Sequence, residues 1–476
     1  MSAQFVLVAF FVTFLAVTAP AQTPWRFIVT CDSRGQTDGI QVTILSEMVE
    51  EIMSRGVDFV LFPGDLVSGY VTDGPGGFEA QLRAWVQIVK PVYDAGIGVY
   101  GCRGNHEIMD VWGIHPRPDI DPDDNYATRW LNVFGNELYP QQKLPDNGSA
   151  DEKYMTYSVV HKNALIVLLD GYAGIRHDTV NRVNQKWLEA QLSVNTRPHI
   201  FITTHEPAFR ALHADCLDNW PAERDALWAS IGNAGGRVFL CGHDHFYDHA
   251  RVVDEDDNLD NDIHQYIIGT AGARPYFWSP PYTGNNSSYT VEQRHHAEGY
   301  GYVLVEVNDL DVTLTWMERH TKDLNVSGSY EPRESWSYVV TPKLVMVRPN
   351  GGEKLAATGA YPITWKTTDG AQVDSVIIEY STDAGQNWQQ VSQCPNTGSY
   401  QWDPVPPTDS NQCLVRISDA MDRTMSDVSD GTFTIFQCRK TLAGDVNGDC
   451  YVDLLDFALL AGDWLQCGNP FDAACE

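Results

Sequence analysis

Between Arg26 and Asp170 the chain alternates short apolar runs with longer amphipathic ones, and this alternation restricts its fold more than any other feature. Arg26–Cys31, Asp58–Phe62 and Gly98–Cys102 read as buried strands, with Ile40–Arg55 and Phe78–Ala95 between them as helices. Strands apolar on both faces and separated by helices predict parallel pairing with right-handed crossovers. Glu107–Lys153, rich in Pro, Asp and Asn, reads as an insertion over the sheet edge. Met155–Val160 and Ala164–Asp170 pattern as a hairpin, and Val183–Val194 as a helix. His199–Thr204, Arg237–Cys241, Ile263–Gly269, Tyr300–Val307 and Val312–Met317 pattern as further strands. The expectation is a layered α/β domain over residues 25–340.

Around Thr341-Pro342 the pattern changes to short alternating runs with turn residues between them: Tyr361–Lys366, Ser375–Tyr380, Gln412–Ile417 and Gly431–Phe436. That spacing predicts an all-β sandwich over 341–437, of immunoglobulin or fibronectin type. Within it, the segment from Ser381 to Trp388 resembles an Asp-box hairpin, a structural motif. The remaining 438–476 is acidic and short. Asp445, Asn447, Asp449, Tyr451, Asp453 and Asp456 fall at positions 1, 3, 5, 7, 9 and 12 of a calcium loop. Leu454–Leu465 then follows as an amphipathic helix. The segment resembles one half of a dockerin, which implies Ca²⁺ in the loop and a cohesin-like or cell-surface partner. Cys450 stands where an EF-hand loop carries Gly, and the sequence through Glu476 holds one such repeat where dockerins have two.

At the other end, Phe5–Val17 is apolar and Ala19-Pro20-Ala21 follows, the pattern of a signal peptide over 1–21, although no Lys or Arg precedes the run. The expectation is a secreted, periplasmic or cell-surface protein with no membrane span in the mature chain. Export permits disulfides. Cys31, Cys102 and Cys241 end apolar runs and read as buried small hydrophobes. Cys394 and Cys413 lie close together in the β-rich region, and Cys438, Cys450, Cys467 and Cys475 crowd the tail. Sequence alone leaves the pairing open. The 32 basic against 63 acidic residues give a net charge of −31, which speaks against binding a nucleic-acid backbone. A saline habitat accounts for such acidity equally well. If the substrate is itself an anion, bound cations must reverse the field at the site.

Five polar blocks stand at the ends of strand candidates: Asp32-Ser33-Arg34, Gly64-Asp65, Gly104-Asn105-His106-Glu107, Thr204-His205-Glu206 and Gly242-His243-Asp244-His245. Ligands of open α/β sheets gather beyond the carboxyl ends of strands. Carboxylate, amide oxygen and imidazole together suit Mn, Fe or Zn. Singly, each residue has a plainer reading: Asp32 as a helix cap, His205 as a core histidine, Asn105 as a turn residue. Jointly and in this order they read as a metal site.

The order and types of these blocks resemble the calcineurin-like metallophosphoesterase family, over roughly Arg26 to Met317. The resemblance implies a layered α/β/β/α domain and a phosphoester substrate, monoester or diester. It implies two divalent transition metals bridged by Asp65, with Asn105, His205 and His243 on the second and Asp32 and His245 on the first. It further implies attack by a metal-bound hydroxide, with His106 facing the substrate. Where the family places a His, this chain has Arg34, which leaves the first metal a ligand short and offers a guanidinium for phosphate oxygens. Glu107, Glu206 and Asp244 are expected to orient imidazoles or to anchor loops. In the purple acid phosphatases a Tyr stands three residues after the bridging Asp. Ser68 stands there in this chain, which speaks against an iron–tyrosinate centre. The alternative is a binding or scaffold protein on the same fold, attached through its tail; Arg34 favours it and an intact His106 opposes it.

Three weaker features complete the reading. The acidic run Asp254–Asp262 is expected as a solvated loop. His295-His296, after the aromatic loop Arg274–Tyr282, is expected on a surface loop. Asn147-Gly148-Ser149, Asn286-Ser287-Ser288 and Asn325-Val326-Ser327 fit glycosylation acceptors.

Overall fold

The computed structural model describes residues 23–37, 39–69, 77–108, 125–138, 140–172, 180–254, 258, 261–282, 288–341, 343–368, 373–440, 442–446 and 450–462. The leader 1–21, Asn447, Asp449, Asn286, Cys467 and Cys475 lie outside these.

Two sheets pack face to face. One has six strands in the order Tyr330–Val339, Asp311–Arg319, Gly301–Asn308, Trp25–Val29, Phe59–Pro63, Gly98–Cys102. The other has seven: Thr290–Ala297, Tyr247–Val253, Ile263–Ile268, Val238–Cys241, His199–Thr203, Ala164–Leu168, Tyr157–His161. Pairing is parallel from Trp25–Val29 through Phe59–Pro63 to Gly98–Cys102. It is also parallel from Ala164–Leu168 through His199–Thr203 and Val238–Cys241 to Ile263–Ile268.

The two-residue period of a strand divides the second sheet between two cores. Ile166, Leu168, Phe201 and Leu240 face the first sheet. Leu165, Val167, Ile202 and Phe239 face the helices Gln185–Val194 and Pro221–Asn233. Aromatic rings join the sheets: Phe27 meets Phe201 edge-on at 5.0 Å, and Tyr247 stacks on Trp316 at 4.3 Å. Helices Val42–Arg55, Phe78–Asp94 and Asn125–Phe134 complete the core of the first sheet. The layering is therefore α/β/β/α.

Several elements depart from the sequence reading. The insertion after Glu107 contains the helix Asn125–Phe134, whose Tyr126 packs on Phe78 at 5.2 Å and whose Phe134 lies 6.4 Å from Trp85. Its Pro- and Asp-rich flanks masked its apolar period. His295 and His296 belong to the strand Thr290–Ala297 rather than to a loop, and His296 Nδ1 lies 3.2 Å from Asp248. Asp262 is buried against Arg251 at 3.5 Å, unlike the solvated loop expected there.

Beyond Thr341, Leu344–Arg348, Tyr361–Thr367 and Ser399–Trp402 form one sheet, and a second is built on Ser375–Ser381, Gln389–Pro395, Ser410–Asp419 and Phe433–Phe436. Ile363, Trp365, Val376, Val415 and Phe433 fill the space between them, giving a β-sandwich-like region. The Asp-box turn is held by Asp383, whose carboxylate accepts from Ser381 Oγ and Asn387 N, each at 2.8 Å. Cys438 pairs with Cys450. Cys31, Cys102 and Cys241 are buried thiols, and Cys394 and Cys413 remain free. The tail helix spans Leu454–Gly462.

Candidate metal centre

All five blocks lie at the carboxyl ends of their strands and meet where the two sheets face each other. Asp32, Asp65 and His243 take left-handed backbone conformations, with φ of 63°, 50° and 71°. Side chains larger than glycine tolerate that region only where the surroundings hold them there. Gly64, with φ of 89°, has no alternative, because a Cβ on it would lie 2.5 Å from His205 Nδ1.

The geometry around Asn105 is compatible with a cation site. His205 Nδ1 lies 2.9 Å from the Pro63 carbonyl, which can only accept, so Nδ1 carries the proton. Nε2 faces Asn105 Oδ1 at 3.1 Å and Asp65 Oδ1 at 3.4 Å. His243 Nδ1 faces the same Asn105 oxygen at 3.3 Å. Buried acceptors turned toward one another repel unless a positive charge lies between them. Asp32, Asp65 and His205 offer ligand atoms within 4.8 Å of one another, and Asp32 Oδ1 is a buried oxygen with no hydrogen-bond donor among the described residues. Asp32 Oδ2 accepts from His243 N at 3.1 Å. These residues fit a divalent cation in both charge and donor type.

On the other side of Asp65 the lone pairs already have a partner. His245 Nδ1 lies 3.0 Å from the Arg274 carbonyl, leaving Nε2 as an acceptor, and Arg34 Nη2 donates to it at 3.0 Å. Arg34 Nε lies 3.3 Å from Asp65 Oδ2, and its Nη2 is 3.4 Å from the Tyr276 hydroxyl. The Tyr276 ring stacks on His245 at 4.2 Å. Asp32 Oδ1 is 3.5 Å from His245 Nε2.

His106 donates its backbone N–H to Asp65 Oδ1 at 3.1 Å, and its Nδ1 is tied to the Ser68 carbonyl at 2.8 Å. Its Nε2 is left 3.8 Å from Asp65 Oδ2. Burial pushes its pKa down to about 4, with the Arg34 charge acting in the same direction and Asp65 opposing. Burial also works against ionisation of Asp65, yet the imidazoles of His106 and His205 and the Arg34 guanidinium hold its pKa below the ordinary carboxylate value.

The supporting groups are only partly those expected. Glu107 anchors loops, accepting from the backbone nitrogens of Gly104 at 2.7 Å, Asp65 at 2.8 Å and Val67 at 3.2 Å. Asp244 accepts from Leu212 N at 3.0 Å and pairs with His213, while Glu206 accepts from Asn181 at 2.7 Å. The group that meets His243 Nε2 is Asp215, at 3.4 Å, which the sequence reading did not single out. No motif surrounds it. In the tail, Asp445 accepts from Cys450 N at 2.8 Å, and Asp456 from Val446 N at 2.7 Å and Asp453 N at 2.8 Å. Tyr451 and Asp453 flank the same turn, and Asn447 and Asp449 are not described. A separate cavity of about 760 Å³, lined by Arg237, His249, Arg251 and Trp336 among others, contains none of the cluster residues.

Comparison with known proteins agrees with this geometry. Residues 29–247 match the family model of the calcineurin-like phosphoesterases, and that region is a domain of this kind. No curated protein matches the chain. One similar solved structure is that of the fibronectin(III)-like modules of Clostridium thermocellum CbhA. It is 11% identical, covers 44% of this chain and 93% of that one, and has a TM-score of 0.17, a likeness too slight to carry an argument.

Proposed function

We propose that this chain hydrolyses phosphoesters, monoesters or diesters, at a divalent transition-metal centre built around Asp65. The observation that carries this reading is the convergence of Asp65, Asn105, His205 and His243 side chains on one point. A cation held there supplies Lewis acidity toward a phosphoryl oxygen and acidifies water. It also reverses the local field of a strongly acidic protein, so that an anionic ester can approach. His106, fixed through Nδ1 to Ser68, holds Nε2 beside Asp65, where it can donate to an oxygen of the substrate once that nitrogen is protonated. Pro63 and Arg274 fix the tautomers of His205 and His245, which leaves each Nε2 directed at the centre.

The test is hydrolysis of nitrophenyl phosphate and bis-nitrophenyl phosphate by the full chain, with Mn²⁺, after chelation, and for Asp65→Asn. Turnover that survives both chelation and the substitution removes the reading. Absence of turnover with Mn²⁺, Fe²⁺ and Zn²⁺ alike favours the scaffold alternative. Export is proposed from the leader at 1–21, and amino-terminal sequencing of the native protein should find a start near Gln22. Ca²⁺ binding by the loop from Asp445 to Asp456 is likewise proposed, together with a partner for the tail. Calcium dialysis of the wild type against Asp445→Ala tests the first of these.

A further inference from the structure

Resting on the metal-centre reading above, we infer that the centre holds one divalent cation, with the Arg34 guanidinium fixed in place of the second. In place of the pair of cations expected from the sequence, the two sides of Asp65 differ in kind. On the Asn105 side, His205 Nε2 faces Asn105 Oδ1 at 3.1 Å and Asp65 Oδ1 at 3.4 Å, an arrangement that a cation from outside would satisfy. On the His245 side, the acceptors that would hold the other cation are His245 Nε2 and Asp65 Oδ2. Arg34 meets both, through Nη2 at 3.0 Å and Nε at 3.3 Å. The positive charge on that side is therefore part of the chain.

Three further observations bear on whether the guanidinium stays. Arg34 keeps its charge throughout the accessible pH range and cannot coordinate a metal. Its side chain is 21% exposed and Asp65 is 1% exposed, so the pair is largely withdrawn from water and its attraction is weakly screened. The loop from Arg274 to Tyr282 secures both partners: the Arg274 carbonyl fixes His245, and Tyr276 stacks on that ring while its hydroxyl lies 3.4 Å from Arg34 Nη2.

Asp32 then belongs to the single cation. Its Oδ1 has no hydrogen-bond donor among the described residues, and its ligand atom falls in one cluster with those of Asp65 and His205, within 4.8 Å. Two carboxylates set against one divalent cation and one guanidinium leave a net positive centre, so an anionic ester is still attracted.

The experiment is a metal count on the chelated and reloaded full chain, with excess Ca²⁺ present to occupy the acidic tail loop, read by elemental analysis and by Mn²⁺ electron paramagnetic resonance. The wild type should take up about one equivalent of Mn²⁺ and show the six-line spectrum of an isolated ion. Arg34→His, which restores an imidazole and removes the guanidinium, should take up about two and show the coupled spectrum of a neighbouring pair. Two equivalents with a coupled spectrum in the wild type would overturn the inference and leave the metal centre standing. An Arg34→His chain that keeps its wild-type unfolding midpoint and still binds one equivalent would also overturn it. No uptake by the wild type would remove the metal centre itself, and with it the proposed function. Because the wild-type count alone can refute the inference, a poorly folded variant does not shelter it.

Discussion

The Asp215 carboxylate lies 3.4 Å from His243 Nε2, on the far side of the ring from the cluster. It pairs electrostatically with the Nε2 side of the ring, while Nδ1 faces Asn105 at 3.3 Å. Although burial opposes ionisation of either group, their mutual attraction brings Asp215 down to about 2 and raises His243 to about 9. Such outer partners typically contribute about 10–100-fold to metal affinity. Asp215→Ala should lower Mn²⁺ affinity by that factor in isothermal titration. Asp215→Asn, which retains an acceptor without the charge, should fall between the two. Equal affinity in all three proteins would refute the assignment.

The same pair sets a pH dependence. With its pKa raised to about 9, His243 is protonated at neutral pH in the metal-free protein, and a cation must expel that proton to reach Nδ1. Apparent affinity should therefore rise about tenfold per pH unit between pH 7 and pH 9, with close to one proton released in this window. Titrations in two buffers of different ionisation enthalpy measure the release directly. Stability of the metal-free chain runs the other way. The folded pKa exceeds the unfolded value, so this contribution is fully present below about pH 6.5 and is lost as pH rises through about 9.

The candidate ligand residues were legible because each closes an apolar strand. Asp32, Asp65, Asn105, His205, His243 and His245 could be placed together once parallel pairing was inferred, since parallel strands bring their carboxyl ends to one edge. Their supports were not. Three imidazoles are oriented by the carbonyls of Pro63, Ser68 and Arg274, and a carbonyl has the same sequence signature at every residue. Asp215 sits in an aperiodic stretch, and its role exists only in the folded chain. Arg34 was visible as an unusual residue type with an affinity for phosphate, but its direction, onto Asp65 and His245, is a property of tertiary structure. The helix Asn125–Phe134 was hidden by the composition of its neighbours. Thr290–Ala297 was hidden because its polar, half-exposed residues lack the strand alternation.

Glu107 joins two strand ends by accepting the backbone N–H groups of Gly104, beyond Gly98–Cys102, and of Asp65 and Val67, beyond Phe59–Pro63. Its removal leaves three buried donors unsatisfied, at about 1–3 kcal/mol each. Glu107→Ala should therefore cost about 3 kcal/mol or more in urea unfolding and weaken metal binding by releasing Asp65. Glu107→Gln keeps one carbonyl oxygen and should recover part of both. An alanine variant as stable as the wild type would mean that water replaces the carboxylate there.

Beneath the centre, Arg103 and Asp170 form a fork of two hydrogen bonds, Nε to Oδ1 at 2.9 Å and Nη2 to Oδ2 at 2.7 Å, with both side chains fully buried. Arg103 follows the strand Gly98–Cys102 of one sheet and Asp170 follows Ala164–Leu168 of the other, so the pair ties the two sheets together at the end that carries the candidate metal ligands. Charges this deep are costly to desolvate, and their attraction offsets that cost only while both are present. Asp170→Ala strands the guanidinium and should destabilise the domain by about 3–5 kcal/mol. Replacing both residues with apolar groups of similar size, Arg103→Met with Asp170→Leu, should recover most of that loss, because no unpaired charge remains. A double-mutant cycle by denaturant unfolding decides the point, and additive losses would show that the pair does not act as a unit. Recovery of stability should not restore the metal affinity of the wild type, since Arg103 directly precedes the Gly104-Asn105-His106 turn.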